Sequence, residues 1–139
     1  MPITLDASAT AAWLLPDEAN DAADLLYQRA LGEDELFQAP AVWAWESGNL
    51  LRTARRRGRL TPQQLTQAVR LLHRARVRLE AAPDQERMLS TLAHAEREGL
   101  SFYDASYLEQ AFRTGAQLAT KDDALRRAAL RIGVVCIDV

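Results

Sequence analysis

The sequence predicts an α/β fold in which a mostly parallel sheet is covered by helices on both faces. Short apolar stretches that suit strands alternate with segments of helical periodicity through most of the 139 residues. Such alternation is typical of strands joined by crossover helices. An apolar content of 48% with 26% charged residues argues against disorder, and the length suits one core. We therefore predict a single domain over residues 1–139.

The first half of the chain is expected to contain two strands and three helices. Pro16 ends the first helix, because proline cannot continue a helix, and Gly32 lies just beyond the second. The expected strands are 3–5 and 36–39, and the expected helices are 7–15, 17–31 and 41–56.

The second half adds three strands and four helices. Thr61, Pro62 and Gln64 form a capping-box pattern with proline at the first helical position, which is a strong helix start. The expected strands are 77–80, 116–119 and 134–137, and the expected helices are 62–75, 83–98, 101–112 and 125–132. The apolar residues expected to face the core from two of these helices are Met88, Leu89, Leu92, Ala95, Ala105, Leu108, Ala111 and Phe112.

Three aspartates stand where strands end or helices begin. Asp6 directly follows the strand 3–5, Asp122 lies shortly after the strand 116–119, and Asp104 opens a helix. Ligands of parallel sheets bind beyond the carboxyl ends of the strands. We therefore expect these three carboxylates to meet at one edge of the sheet.

A fourth carboxylate lies on an apolar helix face. This face of the helix 41–56 is expected to point to the core and consists of Val42, Trp45, Leu50 and Ala54. Glu46 and Asn49 fall on the same face by helical spacing. A carboxylate in such a position is costly unless a cation or hydrogen bonds compensate it. We therefore expect Glu46 to join the aspartates, with Asn49 supporting it through a hydrogen bond.

Four carboxylates in one place repel one another unless they share a cation. Oxygen ligands without His or Cys select hard cations, so the sequence predicts Mg²⁺ or Mn²⁺. From the residues alone, structural alternatives remain open. Asp6 can be a loop residue and Ser8 a helix cap, Ser101 and Asp104 can form a capping box, and Glu46 can pair with an arginine.

Positive charge is concentrated between Ser47 and Leu79, a stretch without any acidic residue. It contains nine arginines: Arg52, Arg55, Arg56, Arg57, Arg59, Arg70, Arg74, Arg76 and Arg78. Such a region favours binding of a polyanion, and Arg55, Arg56 and Arg59 are the expected contacts. A solvated basic turn is the alternative, because cations are favourable at a helix C-terminus.

Four motifs resemble those of the PIN-domain family, in order and over the whole chain. They are Leu5-Asp6-Ala-Ser8, Glu46-x-x-Asn49, Ser101-x-x-Asp104-Ala105-x-Tyr107 and Thr120-x-Asp122. The sequence looks most like the toxic ribonucleases of bacterial VapBC toxin–antitoxin pairs. This resemblance implies a three-layer α/β/α sandwich, Mg²⁺- or Mn²⁺-dependent cleavage of RNA, a VapB-like antitoxin partner and a homodimer.

Carried over by position, the resemblance implies that the catalytic and metal-binding residues are Asp6, Glu46, Asp104 and Asp122. Ser8, Asn49 and Thr120 match the supporting polar positions, and the arginines are expected to contact RNA or the antitoxin. Asp123 neighbours Asp122, but the Thr-x-Asp spacing favours Asp122.

Two other functions fit a small α/β domain. A receiver-like phosphoacceptor domain also clusters acids near a lysine, but it needs adjacent acids after the first strand, and Ala7 follows Asp6. A non-catalytic binding module whose acids are only caps leaves Glu46 unexplained. No apolar run approaches the roughly 20 residues of a membrane span, there is no signal-peptide pattern, and Cys136 is the single cysteine. These features predict a cytoplasmic protein that does not enter a membrane.

Overall fold

The structure, a computed structural model, describes residues 1–139 as five strands and seven α-helices. The strands are β1 (Ile3–Leu5), β2 (Phe37–Ala39), β3 (Val77–Leu79), β4 (Gln117–Ala119) and β5 (Cys136–Ile137). The helices are α1 (Ala7–Leu14), α2 (Asp21–Leu31), α3 (Val42–Arg56), α4 (Pro62–Arg74), α5 (Gln85–Glu98), α6 (Phe102–Thr114) and α7 (Asp123–Arg131). No helix has the length and apolarity that a bilayer crossing requires.

Every strand pair is parallel, and the order across the sheet is β3-β2-β1-β4-β5. Right-handed crossovers place α1 to α4 on one face of this sheet and α5 to α7 on the other. The packing agrees, since α1 contacts α2, α3 and α4, whereas α6 contacts α5 and α7. The fold is the three-layer α/β/α sandwich that the resemblance implies, with an entirely parallel sheet.

The strand order reverses between β1 and β4, which makes this position a topological switch point. From β1 the first crossovers lead to β2 and β3, and the next one returns to β4 on the other side of β1. Helices therefore leave β1 and β4 towards opposite faces, which opens a crevice beyond their carboxyl ends. Leu5 lies opposite Ala119 in the parallel register. The residues that follow them, Asp6 and Thr120, are consequently placed at this crevice.

Side-chain caps explain where several helices begin. Thr61 and Gln64 make both hydrogen bonds of the predicted capping box at the start of α4. A short 3₁₀ turn (Pro16–Glu18) and the cap Asn20 precede α2, which therefore begins later than expected. Asn20 Oδ1 accepts from the backbone N–H of Ala23 at 2.9 Å.

A buried polar network fixes α6 on the sheet. Thr4 Oγ1 donates to Gln110 Oε1 at 3.1 Å, and Gln38 Nε2 donates to Thr4 Oγ1 at 3.2 Å. Gln38 Nε2 also donates to Thr114 Oγ1 at 2.7 Å. These bonds join β1, β2 and α6 within an otherwise apolar core. Because a misplaced partner would leave a buried polar group unpaired, the network sets the position of α6.

The outward face of α5 contradicts the sequence prediction. Met88, Leu89 and Leu92 are exposed, and the buried residues of this helix are Thr91 and His94. The helix packs on α6 through its smaller, polar face. Phe112 of α6, also expected inside, is exposed as well. Helical spacing correctly placed the apolar residues of α5 on one face, but the opposite face is the one that packs on α6.

The orientation of α3 also differs from the prediction. Its buried residues are Trp43, Ser47, Leu51 and Ala54. Of the predicted stripe, Ala54 is buried, and Val42 and Leu50 are half-buried and pack against the core. Trp43 is fixed inside because its Nε1 donates to Thr10 Oγ1 at 2.9 Å. Trp45 is 81% exposed. The apolar face that carries Glu46 therefore borders an open cleft instead of the core.

Candidate active site

Asp6 is the most enclosed carboxylate of the cleft, with 5% of its surface exposed. Its Oδ2 accepts hydrogen bonds from Ser8 Oγ at 2.6 Å and from Thr120 Oγ1 at 2.7 Å. Ser8 belongs to the first turn of α1, and Thr120 directly follows β4. The two hydroxyl groups fix the carboxylate from both strand ends, and no protein donor binds Oδ1.

The same hydroxyl groups organise the loop that carries Asp122. The backbone N–H of Lys121 donates to Ser8 Oγ at 2.9 Å, and that of Asp122 donates to Thr120 Oγ1 at 3.0 Å. Asp122 Oδ1 then caps α7 by accepting from the N–H of Leu125 at 3.0 Å. Asp122 is therefore a helix cap and also a residue of the cleft.

Glu46 enters the cleft from α3 and is held by a residue of α6. Tyr107 Oη donates to Glu46 Oε1 at 2.5 Å, and Tyr107 itself is fully buried. This is the hydrogen-bonding partner that a carboxylate on an apolar face requires. The partner is a tyrosine from another helix, not the arginine of the structural alternative.

At the start of α6, Ser101 caps the helix and Asp104 lines the cavity, whereas the sequence left open whether both are only caps. Ser101 caps the helix, since its Oγ accepts from the backbone N–H of Asp104 at 3.1 Å. The return bond of a capping box, from the Ser101 N–H to the Asp104 carboxylate, is absent, whereas both bonds are present in α4. The capping-box interpretation is therefore half right, and Asp104 lines the cleft while its carboxylate stays next to the Ser101 hydroxyl.

A cavity of about 780 Å³ brings the predicted residues together. All four carboxylates, Ser8 and Asn49 line it, while Thr120 lies behind Asp6. Asp123 does not line it, in agreement with the preference for Asp122. The remaining lining residues are Ala7, Val42, Trp45, Leu50 and Tyr103. No basic side chain and no His or Cys contributes to the wall.

Three carboxylates of the cavity have raised pKa values, and burial is the main cause for each. Burial raises the pKa of Asp6 most; the hydrogen bonds from Ser8 and Thr120 oppose this, and the charges of Asp104 and Asp122 raise it further. Burial likewise raises the pKa of Asp104, the charge of Asp122 adds to it, and a hydrogen bond from the Ser101 side chain opposes it.

The pKa of Glu46 is also raised. Burial is the main cause, the hydrogen bond from Tyr107 lowers the value, and the charges of Asp6 and Asp104 raise it again. The wall of the cavity therefore holds negative charge that no side chain of the protein neutralises.

This donor set fits a hard divalent cation. The side chains that line the cavity offer carboxylate, amide and hydroxyl oxygens, which Mg²⁺ and Mn²⁺ prefer. No group of three or more His, Cys, Asp or Glu side chains lies close enough together to hold a metal ion. Mg²⁺ does not need three protein ligands, because it keeps several waters and is commonly bound by one or two carboxylates together with substrate phosphate.

Three residues near or in this site were not expected from the sequence to take part in it. Tyr107 was part of a quoted motif, but its contact with Glu46 spans 61 positions and follows no local pattern. Trp45 was assigned to the core. Tyr103 precedes Asp104 directly, and that adjacency is the only signal that could have indicated it.

The arginines after α3 separate into two groups. Arg59 was expected to lack an acidic neighbour, and this is wrong, since its guanidinium binds Asp17 at 2.8 Å and Glu18 at 2.7 Å. Arg55 and Arg56 are exposed and form no ion pair. Arg57, which directly follows α3, is also exposed without an ion pair, so the unneutralised positive charge lies on the last turn of α3 and on the residue after it.

Comparison with known proteins supports the same assignment. The model of the PIN domain family matches residues 3–130. Ribonuclease VapC3 of Pyrobaculum aerophilum is 29% identical over 125 residues, which cover 90% of this chain and 92% of that protein.

Two crystal structures share the fold. PAE2754 from Pyrobaculum aerophilum has a TM-score of 0.71 at 26% identity and covers 98% of this chain and 83% of its own. FitAcB from Neisseria gonorrhoeae has a TM-score of 0.64 at 16% identity over 97% and 96% of the chains, which shows similarity of fold alone. The family match includes all four carboxylates of the cavity, and the chain belongs to the PIN domain family.

Proposed function

We propose that this protein is an endoribonuclease that uses Mg²⁺ or Mn²⁺ to hydrolyse phosphodiester bonds of RNA. The observation that carries the proposal is the single cavity lined by Asp6, Glu46, Asp104 and Asp122 without a neutralising cation from the protein. The similarity to Ribonuclease VapC3 supports RNA as the substrate.

The roles of the carboxylates follow from their positions. Asp6, Asp104 and Asp122 would hold one or two hydrated cations, each ion bound directly by one or two of these carboxylates and otherwise by water, and Ser8 and Thr120 keep Asp6 in place through their hydroxyl groups. When bound, a divalent ion polarises the phosphate and lowers the pKa of water. Asn49 lines the cavity one turn after Glu46, but the predicted hydrogen bond between them is absent, and Tyr107 donates to Glu46 instead.

Glu46 orients the attacking water or completes the cation site. The pKa of Glu46 is raised towards neutral pH, and a carboxylate with a higher pKa is a stronger base for the proton of the water. Tyr107 holds its Oε1 and leaves Oε2 for the water or cation.

Arg55 and Arg56 are proposed to contact the RNA backbone or a protein partner, because both are exposed and unpaired. Phosphate contacts of this kind contribute affinity without sequence choice. Similarity to a VapC protein further supports a toxin that acts in the cytoplasm, is inhibited by a VapB-like antitoxin and forms a homodimer.

The phosphoacceptor alternative is disfavoured. Its chemistry places a lysine beside the acidic cluster, but Lys121 does not line the cavity, and its Nζ lies 3.7 Å from Glu18. The non-catalytic alternative, in which the acids are only caps, does not account for Glu46 or for the presence of all four carboxylates in one cavity.

A pair of neighbouring substitutions tests the proposed reaction. Purified protein should cut structured RNA with Mg²⁺ or Mn²⁺ and not with EDTA. Asp122→Asn should lower cleavage at least about 100-fold, since it removes one charge while asparagine still caps α7. Asp123→Asn changes the adjacent exposed carboxylate and should leave cleavage unchanged. Cleavage that persists in EDTA, or equal loss in both variants, would contradict the mechanism.

A further inference from the structure

A second, narrower cavity of about 220 Å³ adjoins the acidic one. It lies between the start of α3, the start of α6 and the segment that joins β3 to α5. The two cavities share Val42, Trp45 and Tyr103 as a common wall. A ligand whose phosphate lies over the carboxylates therefore has its next group at the mouth of this second cavity.

The common wall presents two aromatic rings to solvent. Trp45 is 81% exposed and Tyr103 is 59% exposed, whereas Trp13 and Trp43 are 8% and 5% exposed. Both exposed rings belong to helices fixed by the core, so the rings are displayed from rigid elements. Rings of this kind beside a phosphate site suit the flat face of a nucleobase.

The second cavity also offers one unneutralised hydrogen-bond donor group. Arg87 lines it, and its Nη2 donates to the carbonyl of Ala81 at 2.7 Å. The two carboxylates of the cavity, Glu80 and Glu109, are instead bound by Arg113 at 2.8 and 2.7 Å. The remaining N–H groups of Arg87 are available to the ring nitrogens and carbonyl oxygens of a base.

We propose that this second cavity binds one unpaired nucleobase of the RNA, next to the phosphate that is cleaved. The inference rests on the proposed ribonuclease function and adds how the substrate is held. Trp45 and Tyr103 stack on the base, and Arg87 binds its polar edge. A base can enter only after leaving a duplex stack, so cleavage is directed to loops, bulges and single strands, where bases are free to unstack.

Binding in EDTA tests this inference without cleavage. A labelled single-stranded RNA is titrated with wild type, Trp45→Ala, Trp45→Phe and the exposed control Leu25→Ala. Trp45→Ala should raise the Kd about 5- to 150-fold, which corresponds to roughly 1–3 kcal/mol of stacking. Trp45→Phe should restore most of the affinity, and Leu25→Ala should match wild type. Thermal melts should coincide, because both altered side chains are exposed.

An abasic scan then identifies the partner of Trp45. One abasic nucleotide is moved along the RNA, and we expect a single position to weaken binding to wild type as much as Trp45→Ala does. At that position the two changes should not add, because each removes the same stacking interaction. The same position should flank the bond that is cut when Mg²⁺ is supplied.

The outcomes separate this inference from the proposed function. If Trp45→Ala and one abasic position weaken binding non-additively, but no RNA is cut in Mg²⁺, the base site is supported and the ribonuclease function is overturned. Cleavage with additive effects, or with no sensitive position, overturns the base site and assigns the cavity to an apolar side chain of a protein partner. RNA that binds neither in EDTA nor in Mg²⁺ overturns both.

Discussion

A single hydroxyl group connects the core of the protein to the acidic cavity. Tyr107 of α6 is fully buried, and its Oη donates to Glu46, which lines the cavity. Because Tyr107 is fixed by packing, it also fixes Glu46. The residue thus positions a carboxylate without contacting the substrate.

Tyr107→Phe should reduce kcat by about 10-fold or more while leaving KM nearly unchanged. The hydrogen bond from Tyr107 lowers the pKa of Glu46. Its removal should therefore raise that pKa further, and the acidic limb of the pH–rate profile should move to higher pH.

The control is Tyr27→Phe, which also removes one hydroxyl group, here a donor to the carbonyl of Leu71 at 2.7 Å. It should leave the pH–rate profile unchanged. If both variants lose activity equally with unshifted profiles, Tyr107 acts only through stability.

At the scale of elements, α3 shows what periodicity can and cannot predict. Helical spacing placed Glu46, Asn49 and Trp45 on one face, and these three residues do line one cavity. It assigned that face to the core, because a cleft wall and a core face carry the same apolar pattern. The burial of Trp43 depends on Thr10, 33 positions away, and no local pattern contains that contact.

The four carboxylates were easier to predict, because strand ends and helix starts are local features. Their convergence followed from the general geometry of parallel sheets. The side of α5 that packs could not be predicted, since it depends on α6, which lies later in the chain. Likewise, Arg59 pairs with Asp17 and Glu18, which lie more than 40 positions earlier.

The end of α3 gives a prediction with an internal control. Replacing Arg55 and Arg56 with Gln should weaken RNA binding and lower the slope of log Kd against log salt by roughly 0.7 for each phosphate that is no longer neutralised. Arg59→Gln should leave that slope unchanged, because its guanidinium already binds two carboxylates. Titrations at several salt concentrations measure both. Equal slopes for the double variant and wild type would identify a solvated basic turn.

At the scale of the whole molecule, the acidic cavity works against the stability of the metal-free fold. Asp6, Glu46 and Asp104 have raised pKa values in the folded state. A carboxyl group of this kind binds protons more readily when folded, so its stabilising contribution exists at low pH and is lost as pH rises through the folded pKa. Asp17 and Glu35 have lowered pKa values, and their contribution is lost as pH falls below about 4.

We therefore expect the Tm of the metal-free protein to fall between about pH 5 and neutral pH. Asp104→Asn should reduce this fall and leave the Tm in EDTA at neutral pH equal to wild type or slightly higher, since Ser101 still caps α6. Mg²⁺ at about 100 times its Kd should stabilise wild type by roughly 2.7 kcal/mol. The variant should lose most of this gain.

Melts of wild type, Asp104→Asn and Asp123→Asn in EDTA and in Mg²⁺ measure these effects, with Asp123→Asn expected to behave as wild type. A full response of Asp104→Asn to Mg²⁺ would remove Asp104 from the cation site.

The hydrogen bond from Thr120 to Asp6 joins residues 114 positions apart, and the bond from Tyr107 to Glu46 spans 61. Contacts of such separation require closure of long loops, which slows folding. Until β4 has paired with β1, the acids lie far apart on the chain and no cavity exists to receive RNA. We therefore expect partly folded chains to lack the proposed cleavage, and its recovery during refolding should follow the pairing of β4 with β1.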